Sequence, residues 1–297
     1  MTTIIADSTC DLNQDLLKGY NLKVLPLSIT LQEKTYLDGI DIQIDKVYEA
    51  MRKGIMPKTA QIPYEYIFNA FDECSKAGED FIYLSFSKEM SSCYSLATVI
   101  ANELQELYPD VRMSVVDSRG GSSATGLIVL QALRLAKAGM EYDTLLKDIQ
   151  FMIDHVEHVF SLADLEWMAK GGRISKPLGF IGSKINLRPW LDVEGGKMIV
   201  KGMVRGRNKA INIVAKELVK RAERFPEQLI AITHADDLPS ALELETQIKN
   251  MLPICKTTLC HIGGILGVHI GISGIGAFCF NERVPDYLIV DPKNEIS

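Results

Sequence analysis

Three arginines in this chain stand beside glycines. Arg173 follows Gly171-Gly172 in KGGRIS, and Arg205 and Arg207 bracket Gly206 in VRGRNK. A guanidinium is a permanent cation whose planar fork of donors suits a carboxylate or a phosphate. Glycine lets the backbone turn or approach closely where other residues cannot, so these cations read as placed. Ser91-Ser92 adds two hydroxyls just before an apolar-periodic segment, where a helix dipole favours an anion. His269 lies between Gly267 and Gly271 in GVHIG. Hydroxyls, placed cations and one histidine, amid much apolar sequence, suit an anionic head group attached to something greasy.

Charge agrees with that inventory. Ten of the 32 Lys and Arg, but only two of the 38 Asp and Glu, fall between Trp167 and Lys209. That segment carries +8 and the remainder −14. An acidic protein that gathers its positive charge in this way usually meets something negative there. Charge alone favours a solvated basic face, so the other residues decide.

Absences narrow the chemistry. No GxxxxGK[ST] loop is present, and ADSTCDL after the first apolar run lacks the glycines of a dinucleotide fingerprint. GISGI at 271–275 misses a nucleophile elbow by its last residue. No Ser–His–Asp set or carboxylate pair assembles from local spacing, so no catalytic residues are assigned. The six cysteines (10, 74, 93, 255, 260, 279) form no CxxC pair. They read as reduced thiols of a cytoplasmic protein. His155 and His158, at i, i+3, read as a surface pair on one helix, and no metal site is expected.

The 297 residues, 47% hydrophobic and 24% charged, suit two soluble domains. The N-terminus meets Asp7 at once and has no basic n-region, so it does not read as a signal peptide. Residues 260–280 are apolar but hold six glycines and two histidines, and read as buried strands and loops. The small-xxx-small spacing of Gly263, Gly267 and Gly271 reads there as accidental.

The elements that must position these residues follow from periodicity. Runs at 3–6, 81–86 and 112–116 read as buried strands, and helical patterns cover 64–76, 92–107, 123–138 and 143–156. Such alternation implies a parallel sheet covered on both faces. LKVLPLSITL (22–31) with TYLDGI reads as a hairpin inserted into it. The strands run into Asp7-Ser8-Thr9, Ser87 and Asp117-Ser118. Ligands bind beyond such strand ends, although Ser, Thr and Asp there also serve as caps. From residue 158 the pattern gives a strand and short helix ending at Gly171-Gly172, then two strands joined at Gly195-Gly196. A helix at 208–223, a strand at 228–233, a helix at 239–251 and strands near 254–260 and 277–281 complete a second α/β domain. The expected division is 1–157 and 158–297, with the basic segment facing the first domain's strand ends.

Eight segments in order resemble the DegV family, the bacterial fatty-acid-binding proteins also called FakB. They are ADSTCDL, VLPLSI, PKTAQIP, LSFSKEMSSCYSLA, VVDSRGGSSATGLIV, a run of about fifty residues from Leu162 to Ala210, ITHADD and GVHIGISGIGAF. The resemblance implies a two-domain α/β fold that holds a long-chain fatty acid such as palmitate, with no other cofactor. It maps the carboxylate-binding threonine and serine onto Thr59 and Ser91, with Arg173 and His269 beside the head group. Arg205 matches the arginine that presents the acid to a fatty acid kinase subunit, and Arg207 accompanies it. It implies no catalysis by the chain itself, no nucleic acid and no integral membrane segment. Ala60, Ile62, Ser92, Cys93, Val268 and Ile272-Ser273 depart from the family's motifs. A stand-alone phosphotransferase and a carrier of another anionic amphiphile are the alternatives.

Overall fold

A computed structural model of the chain describes residues 2–173 and 186–289. Part of the basic segment, 174–185, and the extreme termini of the two expected domains lie outside the described residues.

The N-terminal half opens with β1 (Thr3–Asp7), β2 (Leu22–Leu25), β3 (Ser28–Leu31) and β4 (Lys34–Leu37), then α1 (Ile44–Arg52) and β5 (Lys58–Ala60). It continues with α2 (Tyr64–Lys76), β6 (Phe81–Ser85), α3 (Cys93–Leu107), β7 (Met113–Asp117), α4 (Ser122–Lys137) and α5 (Tyr142–His155). Strands β2-β1-β6-β7 form one parallel sheet. β1 and β6 are buried at every position, which is why they read as continuous apolar runs. The order β4-β3-β5 makes a small antiparallel sheet beside it. The run 22–31 is therefore not one arm of a hairpin. Pro26 cannot donate to a ladder, and the chain divides there: β2 joins the parallel sheet, and β3 pairs with β4.

The C-terminal half contains β8 (Val156–Ser161), α6 (Glu166–Gly171), β9 (Leu187–Glu194), β10 (Lys197–Arg205), α7 (Arg207–Arg221) and β11 (Leu229–His234). α8 (Leu238–Met251), β12 (Lys256–His261), α9 (Gly264–Ile270) and β13 (Ile275–Phe280) follow. The sheet order is β10-β9-β8-β13-β11-β12, antiparallel except where β11 meets β12. Gly195 and Gly196 both have positive φ, as a two-residue hairpin turn of this kind requires. That turn docks on the first sheet's strand end: the Ser87 hydroxyl donates to the Gly196 carbonyl at 2.7 Å.

α4 lies between the two sheets. It is buried from Ser122 to Ala136, which explains its apolar character on all sides. One continuous cluster joins Ile4 and Leu84 of the first sheet to Leu130 of α4 and Phe278 and Phe280 of the second.

Two further expectations are corrected. His158 is a strand residue, buried within β8, and only His155 ends a helix, where Nδ1 meets Asn281 Oδ1 at 2.8 Å. The Gly-rich run contains helix α9, and its glycine spacing is a packing device. A Cβ on Gly267 would fall 2.5 Å from the Tyr48 hydroxyl, and one on Gly263 would fall 2.9 Å from Asp11 Oδ1. No helix among the described residues is long and apolar enough to cross a membrane.

Candidate functional site

Thr59 is the middle residue of β5, paired across the ladder with Ile29. His269 stands in the last turn of α9, which ends at Gly271 with φ +77. Tyr48 fixes that region by donating to the Ile262 carbonyl at 2.9 Å, and the missing side chain of Gly267 makes room for its ring. The result is a contact between Thr59 Oγ1 and His269 Nε2 at 2.7 Å. His269 is only 9% exposed. Burial first, and the Arg173 charge second, push its pKa down to about 4, so the ring is neutral at ordinary pH. In the tautomer protonated at Nε2 it donates to Thr59, and the threonine proton is left for an incoming acceptor.

Gly171, at the end of α6, lies against the other side of the ring. A Cβ there would fall 2.3 Å from His269 Nδ1, and that nitrogen has no hydrogen-bond partner among the described residues. Two residues on, Arg173 is exposed and turns its Nη1 back onto the Gly171 carbonyl at 2.6 Å. Glycines at 171 and 172 thus bring a cation and a neutral histidine to one place.

Ser91 lies in the turn that starts α3. Its amide donates to the Ser87 carbonyl at 3.0 Å, and its oxygen accepts from the Cys93 amide at 3.3 Å. Among the described residues the hydroxyl proton meets only the Cys93 sulfur at 3.1 Å, a weak acceptor that a ligand oxygen readily replaces. Ser92 donates to Gln61 Oε1, tying this turn to the loop after β5.

Thr59, Ser91, Arg173 and His269 all line one cavity of about 950 Å³, counted out to its mouth. The rest is mainly apolar, with Phe86, Phe160, Leu162, Ile265, Ile270 and Phe278 among the walls. These wall residues come from both halves of the chain and carry no local motif. The sequence marked them only as core.

Other strand-end acids are spent inside the fold. Asp7 accepts from the Thr9 amide and hydroxyl, the Tyr83 hydroxyl and the Phe86 amide. Asp117 accepts from the amides of Lys88 and Arg119. No group of three or more metal-ligating side chains occurs among the described residues.

Neither Arg205 nor Arg207 lines the cavity. Arg205 ends β10, is exposed, and makes no ion pair among the described residues. Arg207, two residues away, reaches Ser240 Oγ at 2.7 Å and Glu243 at 2.9 Å, joining α7 to α8.

A family profile described as "Uncharacterised protein, DegV family" matches residues 1–282. A DegV domain-containing protein of Clostridium perfringens is 31% identical over 282 residues, covering 94% of this chain and 97% of the relative. The structure resembles that of a fatty-acid-binding DegV family protein from Thermus thermophilus, with a TM-score of 0.84 and 26% identity, over 94% of this chain and 99% of the other. It also resembles the fatty acid kinase B3 protein of Streptococcus pneumoniae loaded with linoleic acid, with a TM-score of 0.85 and 21% identity, over 95% and 100%. The extent of these matches shows that the chain belongs to the DegV family, whose solved members with this fold include fatty-acid-binding proteins.

Proposed function

We propose that this protein holds a long-chain fatty acid such as palmitate in the cavity and presents its carboxylate to a separate fatty acid kinase subunit. The acid is the only ligand, the chain performs no chemistry on it, and the complex works in the cytoplasm. Residues 1–157 and 158–297 act as two domains, each contributing its own sheet and walls to the cavity. The observation that carries the reading is the Thr59–His269 contact in the wall of a largely apolar cavity that Ser91 and Arg173 also line.

The magnitudes fit a carrier. Burying a methylene contributes about 0.8 kcal/mol, so a sixteen-carbon tail contributes on the order of 11 kcal/mol before ordering costs. Hydrogen bonds to a charged carboxylate add about 1.5–3 kcal/mol each, so the head-group residues set orientation more than affinity. The fatty acids bound by the Thermus and Streptococcus proteins support the same ligand class. The exposed Arg205 gives a kinase partner a cation outside the cavity, whereas Arg207 is already occupied by Glu243. Native mass spectrometry of the protein purified from a bacterial host tests the reading. A co-purifying long-chain acid is the expected result. A phosphorylated lipid, or an empty protein that binds nucleotide, would replace it with a different function.

A further inference from the structure

Exposure shows where the cavity opens. Among the described residues that line it, only Ala60, Gln61, Ser92 and Arg173 are exposed. Each is a head-group candidate or stands within two residues of one: Ala60 and Gln61 follow Thr59, and Ser92 follows Ser91. The cavity therefore meets solvent beside its head-group residues.

Two of these four are bonded to each other across that mouth. Ser92 Oγ, in the turn before α3, donates to Gln61 Oε1, in the loop after β5. Ser92 is the N-cap residue of α3, where a serine oxygen ordinarily accepts from the first free amides of the helix. Here it caps nothing, and the Cys93 amide is met by Ser91 instead. The next residue of each segment, Ile62 and Cys93, is wholly buried in one apolar cluster. β5 itself has three residues and is an edge strand, paired only with β3. Such a strand has few ladder bonds of its own, so the tie at its end bears on where Thr59 sits.

Thr59 and Ser91 can serve one carboxylate only while their two segments keep a fixed separation, because a hydrogen bond tolerates little change in length or angle. The Gln61–Ser92 bond joins those segments one residue beyond Ser91 and two beyond Thr59. We propose that Gln61 and Ser92 are positioning residues, whose bond across the mouth sets the spacing of Thr59 and Ser91 for a single carboxylate. This rests on the fatty-acid reading above. Loss of the bond costs the head group a well-placed donor and leaves the burial of the tail unchanged.

Titration of delipidated protein with palmitic acid and with hexadecanol tests it, because a single alcohol oxygen needs only one of the two hydroxyls. Gln61→Ala and Ser92→Ala should each weaken palmitic acid binding about three- to tenfold, the worth of one net hydrogen bond. The double variant should lose no more than either single one, since both remove the same bond. Ser92→Thr keeps the hydroxyl and should restore palmitic acid binding. Hexadecanol should bind all of these proteins alike, and their melting temperatures should agree because both side chains are exposed. Unchanged palmitic acid affinity in the single variants overturns the proposal alone. So does a loss in Ser92→Ala without one in Gln61→Ala, which would mean that Ser92 touches the acid itself. An equal loss of hexadecanol overturns it too, as the mark of a general effect on the cavity. An unaltered protein that binds no acid overturns the fatty-acid reading and this proposal with it.

Discussion

Thr59 and His269 meet at 2.7 Å although 210 residues separate them in the chain. The contact joins the small antiparallel sheet of the N-terminal half to α9 of the C-terminal half, so the site exists only when the two are docked. Thr59→Val should raise the Kd for a long-chain acid roughly ten- to hundredfold, the equivalent of about 1.5–3 kcal/mol. Melting temperature should barely move, because Thr59 is only partly buried. Titration calorimetry on delipidated protein gives the answer. Unchanged affinity would remove Thr59 from the head-group site.

Gly171→Ala tests the fit behind the ring. Alanine favours the helix, but its Cβ would fall 2.3 Å from His269 Nδ1. The imidazole must then leave Thr59. Acid affinity should drop by about the same amount as in the Thr59 variant, with the fold retained by circular dichroism. Full affinity would mean that the histidine's position is immaterial.

Arg173→Ala separates electrostatics from burial at His269. The Arg173 charge is the lesser of the two influences lowering that pKa. An NMR titration should therefore show the His269 pKa rising in the variant yet remaining below the ordinary 6.5. Acid binding and acyl phosphate formation with a supplied kinase should both weaken. No change in any of the three measurements would leave Arg173 with no part in the site.

The two arginines around Gly206 should behave differently. Arg205→Ala should leave lipid occupancy intact and slow the kinase step, with the difference shrinking as salt rises. Arg207→Ala should instead cost about 0.5–1 kcal/mol of stability through the lost, partly exposed contact with Glu243. If Arg205→Ala arrives without lipid and reloaded protein is phosphorylated normally, the residue belongs to the pocket.

Asp11 gives a pH signature. It accepts from the Ser122 hydroxyl at 2.6 Å and the Gly263 amide at 2.8 Å, tying β1's loop to α4 and α9. Burial, with Asp38 and Asp7 adding repulsion, pushes its pKa up to about 7. A raised carboxyl stabilises the fold at low pH, and that contribution is lost as pH rises through 7. Asp11→Asn should therefore gain stability relative to the unaltered protein between about pH 4 and 7, by up to about 4 kcal/mol. Denaturant curves at several pH values measure it. A difference independent of pH would show that Asp11 does not titrate in this range.

The sequence by itself determined what depends on neighbouring residues. Period and composition placed helices α2, α3, α4, α5, α7 and α8 and strands β1, β6 and β7 to within a few residues, because a buried face must repeat at the period of its own backbone. Charge and glycine placement identified Arg173 and His269 as candidates for an anion, and a hydroxyl pair just before a helical pattern added Ser91. They also grouped Arg205 with Arg207, because spacing does not show which guanidinium finds a carboxylate. Only the tertiary structure decided that Glu243, thirty-six residues on, occupies Arg207. It also decided that Pro26 divides one apolar run between two sheets, and that His158 belongs to a strand facing the cavity. Thr59 came from family resemblance and not from local pattern, since three residues of edge strand carry almost no periodic signal. The cavity was the least legible feature. Its walls come from segments far apart in the chain, and the same apolar residues would have filled a solid core had the two sheets packed differently about α4.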